Sequence, residues 1–268
     1  MMDKNNMVDN SNGTSKLALL RQNRGIKTQE VDIERAIDGF ASSIDSQTMM
    51  AEIARNSAIV NLIIDCSGSM DGTSQAIARE INEFAMRQAV KIYTTMLSLT
   101  VFNEDVSTKF GKLNSKQFVP ISPWDCYGGT NIYDALFSAI APILKTDANH
   151  KLHLVITDGQ NGYSDHTQDE VKKLITSRVK CGEHVFLLYN DDMQDSAKSY
   201  ATKLGIKSNN AVNFNRNGDG IKIIFQTIED LLDGLRTKGA VPEDWAKAIT
   251  AHALDPLGIK ARETKYLK

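Results

Sequence analysis

The chain has 268 residues, 41% hydrophobic and 24% charged, enough apolar material for one well-buried core with appendages. A formal net charge of -2 gives no electrostatic case for a nucleic acid or an anionic membrane partner, and no apolar stretch is long enough to span a bilayer. Three cysteines, Cys66, Cys126 and Cys181, are an odd count without CxxC spacing, which argues against a disulfide framework or a zinc site and for reduced thiols in the cytoplasm.

Residues 1–30 are polar and rich in Asn, Ser and Gly, as in a flexible arm, and they lack the apolar region of a secretory signal. Residues 31–56 predict a helix, with Ile33, Ile37, Phe40 and Ile44 on one face, suited to docking on the main domain or to a partner. From residue 57 to 239, strand and helix patterns alternate. AIVNLIIDC is an apolar, β-branched run, as in a central parallel strand covered on both faces. The next helix, Thr73 to Val90, should turn Ile77, Ile81, Phe84 and Met86/Val90 inward. Thr94 to Asn103 is a strand, and VSTKFGKL a short polar strand suited to an edge. A helix spans Asn131–Lys145, with Pro142 disturbing its last turn. LHLVITD (strand), DEVKKLITSRVK (helix) and HVFLLYN (strand) follow, then a helix closed by Gly205, the short strand AVNFNR and a last helix ending near Gly239. Such alternation implies βαβ units, right-handed crossovers and a mostly parallel sheet. Residues 240–268 form a tail with one short helix started by Pro242.

Open α/β sheets bind ligands beyond the carboxyl ends of their strands, where the strand order reverses. Three polar clusters fall at such places: Asp65/Ser67/Ser69 after the first core strand, Thr130 in YGGTN, and Asp158 in TDG. Each alone has a plain reading. Ser69, Asp71 or Thr73 caps the helix that follows, Thr130 caps the next, and Asp158-Gly159 is a turn. Those readings leave unexplained why all three fall on one edge.

DxSxS, a later GGT and a later TDG, in this order and context, resemble the metal-ion-dependent adhesion site of von Willebrand factor A domains, over residues 57 to 239. GGTNIYDAL and TDGQNGYS look closest to intracellular bacterial and phage members, which implies a cytoplasmic protein, in the host cytoplasm if phage-encoded. The resemblance implies a Rossmann-like, doubly wound, mostly parallel α/β sheet with one antiparallel edge strand. It also implies one divalent cation, Mg2+ with Mn2+ or Ca2+ as alternatives. Ser67, Ser69 and Thr130 would ligate it, with Asp65 and Asp158 acting mainly through water. Neutral hydroxyls leave the ion much of its charge and an open position, which favours an incoming carboxylate; a cage of carboxylates would saturate it. The expected function is therefore binding of a protein that presents Asp or Glu.

Other chemistries fit less well. There is no EF-hand spacing, no GxSxG elbow, no P-loop and no GxGxxG after a strand. Asp65 as a phosphate-attacking nucleophile would need an acid/base and a cationic clamp that the sequence does not show, so the chain is read as no enzyme. The remaining alternative is a scaffold that assembles through arm, helix and tail, its metal only stiffening loops. Trp124, Tyr127, Tyr163 and His166 lie in loops expected near the metal edge and are candidate partner contacts; core-lining roles for the aromatics and a solvated loop histidine are the plain alternatives. Asp191-Asp192 would enlarge an acidic rim or simply form a polar loop.

Overall fold

The computed structural model describes residues 46–190 and 196–255. The chain divides into two compact units, 1–51 and 52–268, and the sheet belongs to the second. The N-terminal arm, the Ile33–Ile44 stripe, Asp191-Asp192 and the tail beyond Asp255 lie outside the described residues. The described part of the expected first helix is α1 (Ser46–Arg55).

Strand β1 (Ala58–Asp65) is buried at every position. Its alternation separates the two faces: Val60, Leu62 and Ile64 enter the larger core cluster, whereas Ile63 enters the second. Each such aliphatic side chain contributes about 2 kcal/mol by leaving water, so only the central position suits this run. Around it lie β2 (Thr95–Phe102), β3 (Val106–Asn114), β4 (His150–Thr157), β5 (His184–Tyr189) and β6 (Ala211–Asn213). The sheet order is β3-β2-β1-β4-β5-β6; only the polar edge strand β3 runs antiparallel.

The larger cluster joins the sheet to α2 (Ser74–Ala89), α6 (Gly218–Lys238) and α7 (Lys247–Leu254). The other joins it to α3 (Ile132–Ile140), α4 (Gln168–Lys180) and α5 (Ser196–Leu204). After β1 the chain moves toward β3, and after β4 it moves toward β6. The strand order therefore reverses between β1 and β4, and a crevice opens at their carboxyl ends. This is the doubly wound α/β architecture expected from the sequence.

Two local expectations need correction. Met86 and Val90 do not face inward; they are 56% and 85% exposed. Ile77, Ile81 and Phe84 already define the buried stripe, and Ala85 and Gln88 fill the positions beside it. Pro142 disturbs the last turn of its helix as expected: α3 ends at Ile140 and Ala141–Lys145 continues as a 3-10 helix. Pro242 does not start the tail helix; a turn intervenes and α7 begins at Lys247. Gly205 and Gly239 do close their helices, with φ of +82° and +65°.

Candidate metal centre

Asp65 is the last residue of β1 and is 1% exposed. One carboxylate oxygen accepts the Ser67 backbone N–H at 2.7 Å, and the other accepts the Thr157 hydroxyl at 2.5 Å. Burial pushes its pKa up, while the bonds from Ser67 and Thr157 pull against that shift. Asp65 therefore orients its own loop and the end of β4, with each carboxylate oxygen engaged by a protein donor.

The loop turns through a 3-10 helix, Gly68–Met70, pinned by the wholly buried Met70. Ser67 Oγ and Ser69 Oγ lie 3.2 Å apart. Ser69 donates to Asp158 Oδ1 at 2.7 Å, across 89 positions of sequence. The capping readings do not describe these side chains: Thr73 stands at the N-cap of α2 without a side-chain cap bond and donates instead to the Met70 carbonyl. Thr130 likewise leaves the N-cap of α3 to Asn131.

Backbone bonds lace the YGGT segment to this loop. Tyr127 N–H donates to the Cys66 carbonyl and Gly68 N–H to the Gly128 carbonyl, both at 3.0 Å. Gly128 takes φ +70°, a conformation that glycine adopts without strain. Thr130 is 8% exposed. A Cβ on Gly159 would stand 2.7 Å from Thr130 Oγ1, so the glycine of TDG is what lets that hydroxyl lie against the β4 end. The structure thus gathers Asp65, Ser67, Ser69, Thr130 and Asp158 at one edge.

Each serine or threonine offers a neutral, hard oxygen. Two oxygens on adjacent corners of an octahedron about Mg2+ stand about 3 Å apart, from metal–oxygen bonds of roughly 2.1 Å. The Ser67–Ser69 separation of 3.2 Å meets that spacing. Among the described residues, no three His, Cys, Asp or Glu side chains converge as a metal cage. The donor set fits a hydrated, incompletely satisfied cation.

Arg216 joins this edge without any motif to mark it. It follows β6, donates through Nη1 to Asp158 Oδ2 at 3.1 Å and also hydrogen-bonds the Ser69 carbonyl. No local pattern marks it, because its partners lie 58 and 147 residues away.

The four candidate contact residues differ in setting. Tyr127 and Tyr163 are 57% and 63% exposed. The Tyr163 ring lies against Gly129, where a Cβ would come within 2.7 Å of it. Trp124 is half-buried against the larger core cluster. His166 is not a free loop side chain: Nδ1 lies 2.7 Å from Asp134 Oδ1, and its ring stacks on Phe137 at 4.0 Å. Asp134 also accepts the backbone N–H groups of Asp165 and His166; despite its partial burial, these bonds hold its pKa down at about 2. Burial pushes the Cys66 and Cys126 thiols up to about 12 and about 11, so neither is a thiolate nucleophile at neutral pH.

No protein-family model and no curated protein sequence matches the chain. Solved structures do resemble it. Proximal thread matrix protein 1 from the mussel byssus, in a structure with a zinc-occupied MIDAS motif, aligns with a TM-score of 0.50 and 17% identity over 67% of this chain and 46% of its own. The PilB minor pilin from Streptococcus sanguinis gives 0.51 and 13%, over 70% and 63%. The pilus adhesin SpaC from Lactobacillus rhamnosus GG, in an open conformation, gives 0.50 and 15%, over 66% and 30%. This chain spans less than two thirds of the length of each. Likeness at such identities establishes the fold, and function must be argued from the site.

Proposed function

We propose, from the premise that this chain has the fold of a von Willebrand factor A domain, that it is a Mg2+-dependent protein-binding module acting in the cytoplasm, and no enzyme. Ser67, Ser69 and Thr130 would hold the cation, with Asp65 and Asp158 fixing hydroxyls and waters around it. The cation would supply an electrophilic coordination position for one carboxylate oxygen of a partner's Asp or Glu. The observation that carries this reading is the bond from Ser69 to Asp158, with the Ser67 hydroxyl beside it. It joins two loops distant in sequence through oxygens that do not saturate a hard ion.

The chain's own residues set up this chemistry. Asp65 holds the Ser67 N–H and the Thr157 hydroxyl, so the loop meets a cation with little rearrangement. The zinc in the mussel protein's MIDAS motif supports a divalent ion in a like fold. Free Cys66, Cys126 and Cys181 suit a reducing compartment, and among the described residues no helix is long and apolar enough to cross a membrane. A phosphate hydrolase with Asp65 as nucleophile is disfavoured, because both its oxygens are bonded inward and it is buried. The scaffold alternative has one feature in its favour: Met86 and Val90, one helical turn apart, leave an apolar strip in solvent.

The test is capture of partners on the immobilised protein in Mg2+ or in EDTA, alongside Thr130→Ala. Partners held through the cation elute with EDTA, return with Mg2+ and fail to bind the variant. Partners that stay bound in EDTA overturn the proposal in favour of the scaffold.

A further inference from the structure

We infer that Arg216 is a carboxylate-binding residue of this edge, gripping one oxygen of the partner carboxylate whose other oxygen meets the cation; this rests on the metal-dependent reading above. Its backbone is anchored on both sides independently of the ion pair to Asp158. Phe214, two residues earlier, is 3% exposed, and its N–H donates to the Tyr189 carbonyl at 3.0 Å. Asn217, one residue later, caps α6 by accepting the Gly220 N–H at 2.7 Å. The turn is so tight that a Cβ on Gly220 would lie 1.8 Å from the Asn215 carbonyl. The arginine side chain is 47% exposed, so its pair with Asp158 does little for stability, about 0–1 kcal/mol.

The donor count points outward. A guanidinium carries five N–H donors in a planar fork that matches a carboxylate. The contacts of Arg216 with the described residues, to the Ser69 carbonyl and Asp158, all pass through Nη1. Nε and Nη2 have no partner among the described residues, on a side chain that is 47% exposed. Asp158 bridges the two halves, since one oxygen takes Ser69 and the other takes Arg216. A carboxylate reaching the cation would therefore arrive beside a positive fork, which adds charge-assisted hydrogen bonds and selects a planar anion over a single oxygen.

The probe is acetate on the Mn2+-loaded protein. Mn2+ binding is read by electron paramagnetic resonance, and acetate binding by paramagnetic broadening of its methyl proton line. Arg216→Gln should bind Mn2+ as well as the wild type or more tightly, because a neighbouring positive charge is gone, and should bind acetate about tenfold more weakly. Arg216→Lys should fall between, keeping charge and losing the fork. Acetate affinity unchanged in a Mn2+-loaded Arg216→Gln variant overturns the proposal, as does loss of Mn2+ binding in that variant, which would make Arg216 a support for Asp158 alone. A wild type that takes up no Mn2+ removes the metal-dependent reading itself, and the resonance measurement shows this independently of acetate.

Discussion

Polar groups are buried at both ends of the β1/β4 pair, and they are used in opposite ways. At the amino ends of the strands Arg236 reaches from α6, its side chain 1% exposed. It donates to the Asn56 carbonyl, Gln88 Oε1 and Thr95 Oγ1, and the Tyr93 ring lies 5.4 Å away. Further along the same two strands, buried His153 lies between Asn61 and Glu183, and Glu183 pairs with Arg178. Most of these groups are spent on one another; Asn61 Oδ1 alone of them is buried without a partner among the described residues. At the carboxyl ends, Ser69 and Arg216 are exposed, and their partners are held in loops. A largely closed network favours one docking of α6 and β5; an open one gives up stabilisation and leaves Ser69 and Arg216 facing solvent.

The largest effect should come from breaking the closed end. Arg236→Met removes the donor to the Asn56 carbonyl and to Thr95 Oγ1, leaves Gln88 Oε1 with the Thr95 hydroxyl alone, and should cost about 3 kcal/mol, read as a lower urea midpoint. Mn2+ affinity of the folded variant should stay put; a parallel loss would mean the two ends are coupled through α6 and would dissolve the contrast.

The mirror-image change is Thr130→Ala. Mn2+ affinity should fall at least about tenfold, while stability moves by about 1 kcal/mol or less. Equal Mn2+ affinity in isothermal titration would remove Thr130 from the site. Gly159→Ala sharpens the point with one methyl group. Its Cβ must displace Thr130 Oγ1 from 2.7 Å, so Mn2+ affinity should drop about fivefold without a change of ligand type. An unaffected affinity would show that the hydroxyl has room to yield.

The smallest effect is one of pH and belongs to the closed end. Burial pushes the pKa of His153 down, so the folded protein keeps it neutral where the unfolded chain charges it, near 6.5. The stabilisation is complete above that value and is lost as pH falls through it. Burial depresses His150 and His184 in the same direction. Urea midpoints should decline from pH 7 to 5, and His153→Gln should flatten part of that slope. A slope unchanged in the variant would assign the pH dependence to the other two histidines.

How much of this was legible follows from how far each signal travels along the chain. The β1 run and the TDG after β4 carry their own environment: eight consecutive buried positions have no amphipathic alternation, so only a central strand suits them. The candidate ligands were readable because alternate residues leaving a strand share a side. The faces of α2 were only partly legible, since Met86 and Val90 are apolar yet off the stripe set by Ile77, Ile81 and Phe84. His166 looked like a free loop residue because nothing local announces Asp134 and Phe137 beneath it.

Periodicity and residue type by themselves determined the α/β alternation, the central strand and the oxygen-bearing loops at its end, because those depend on neighbours a few positions apart. Tertiary structure alone decided that Asp65 points inward to Thr157, that Gly159 makes room for Thr130, and that Arg216 closes on Asp158. Each depends on where crossovers return the chain, and contacts between residues 29 to 147 positions apart leave no local pattern in sequence.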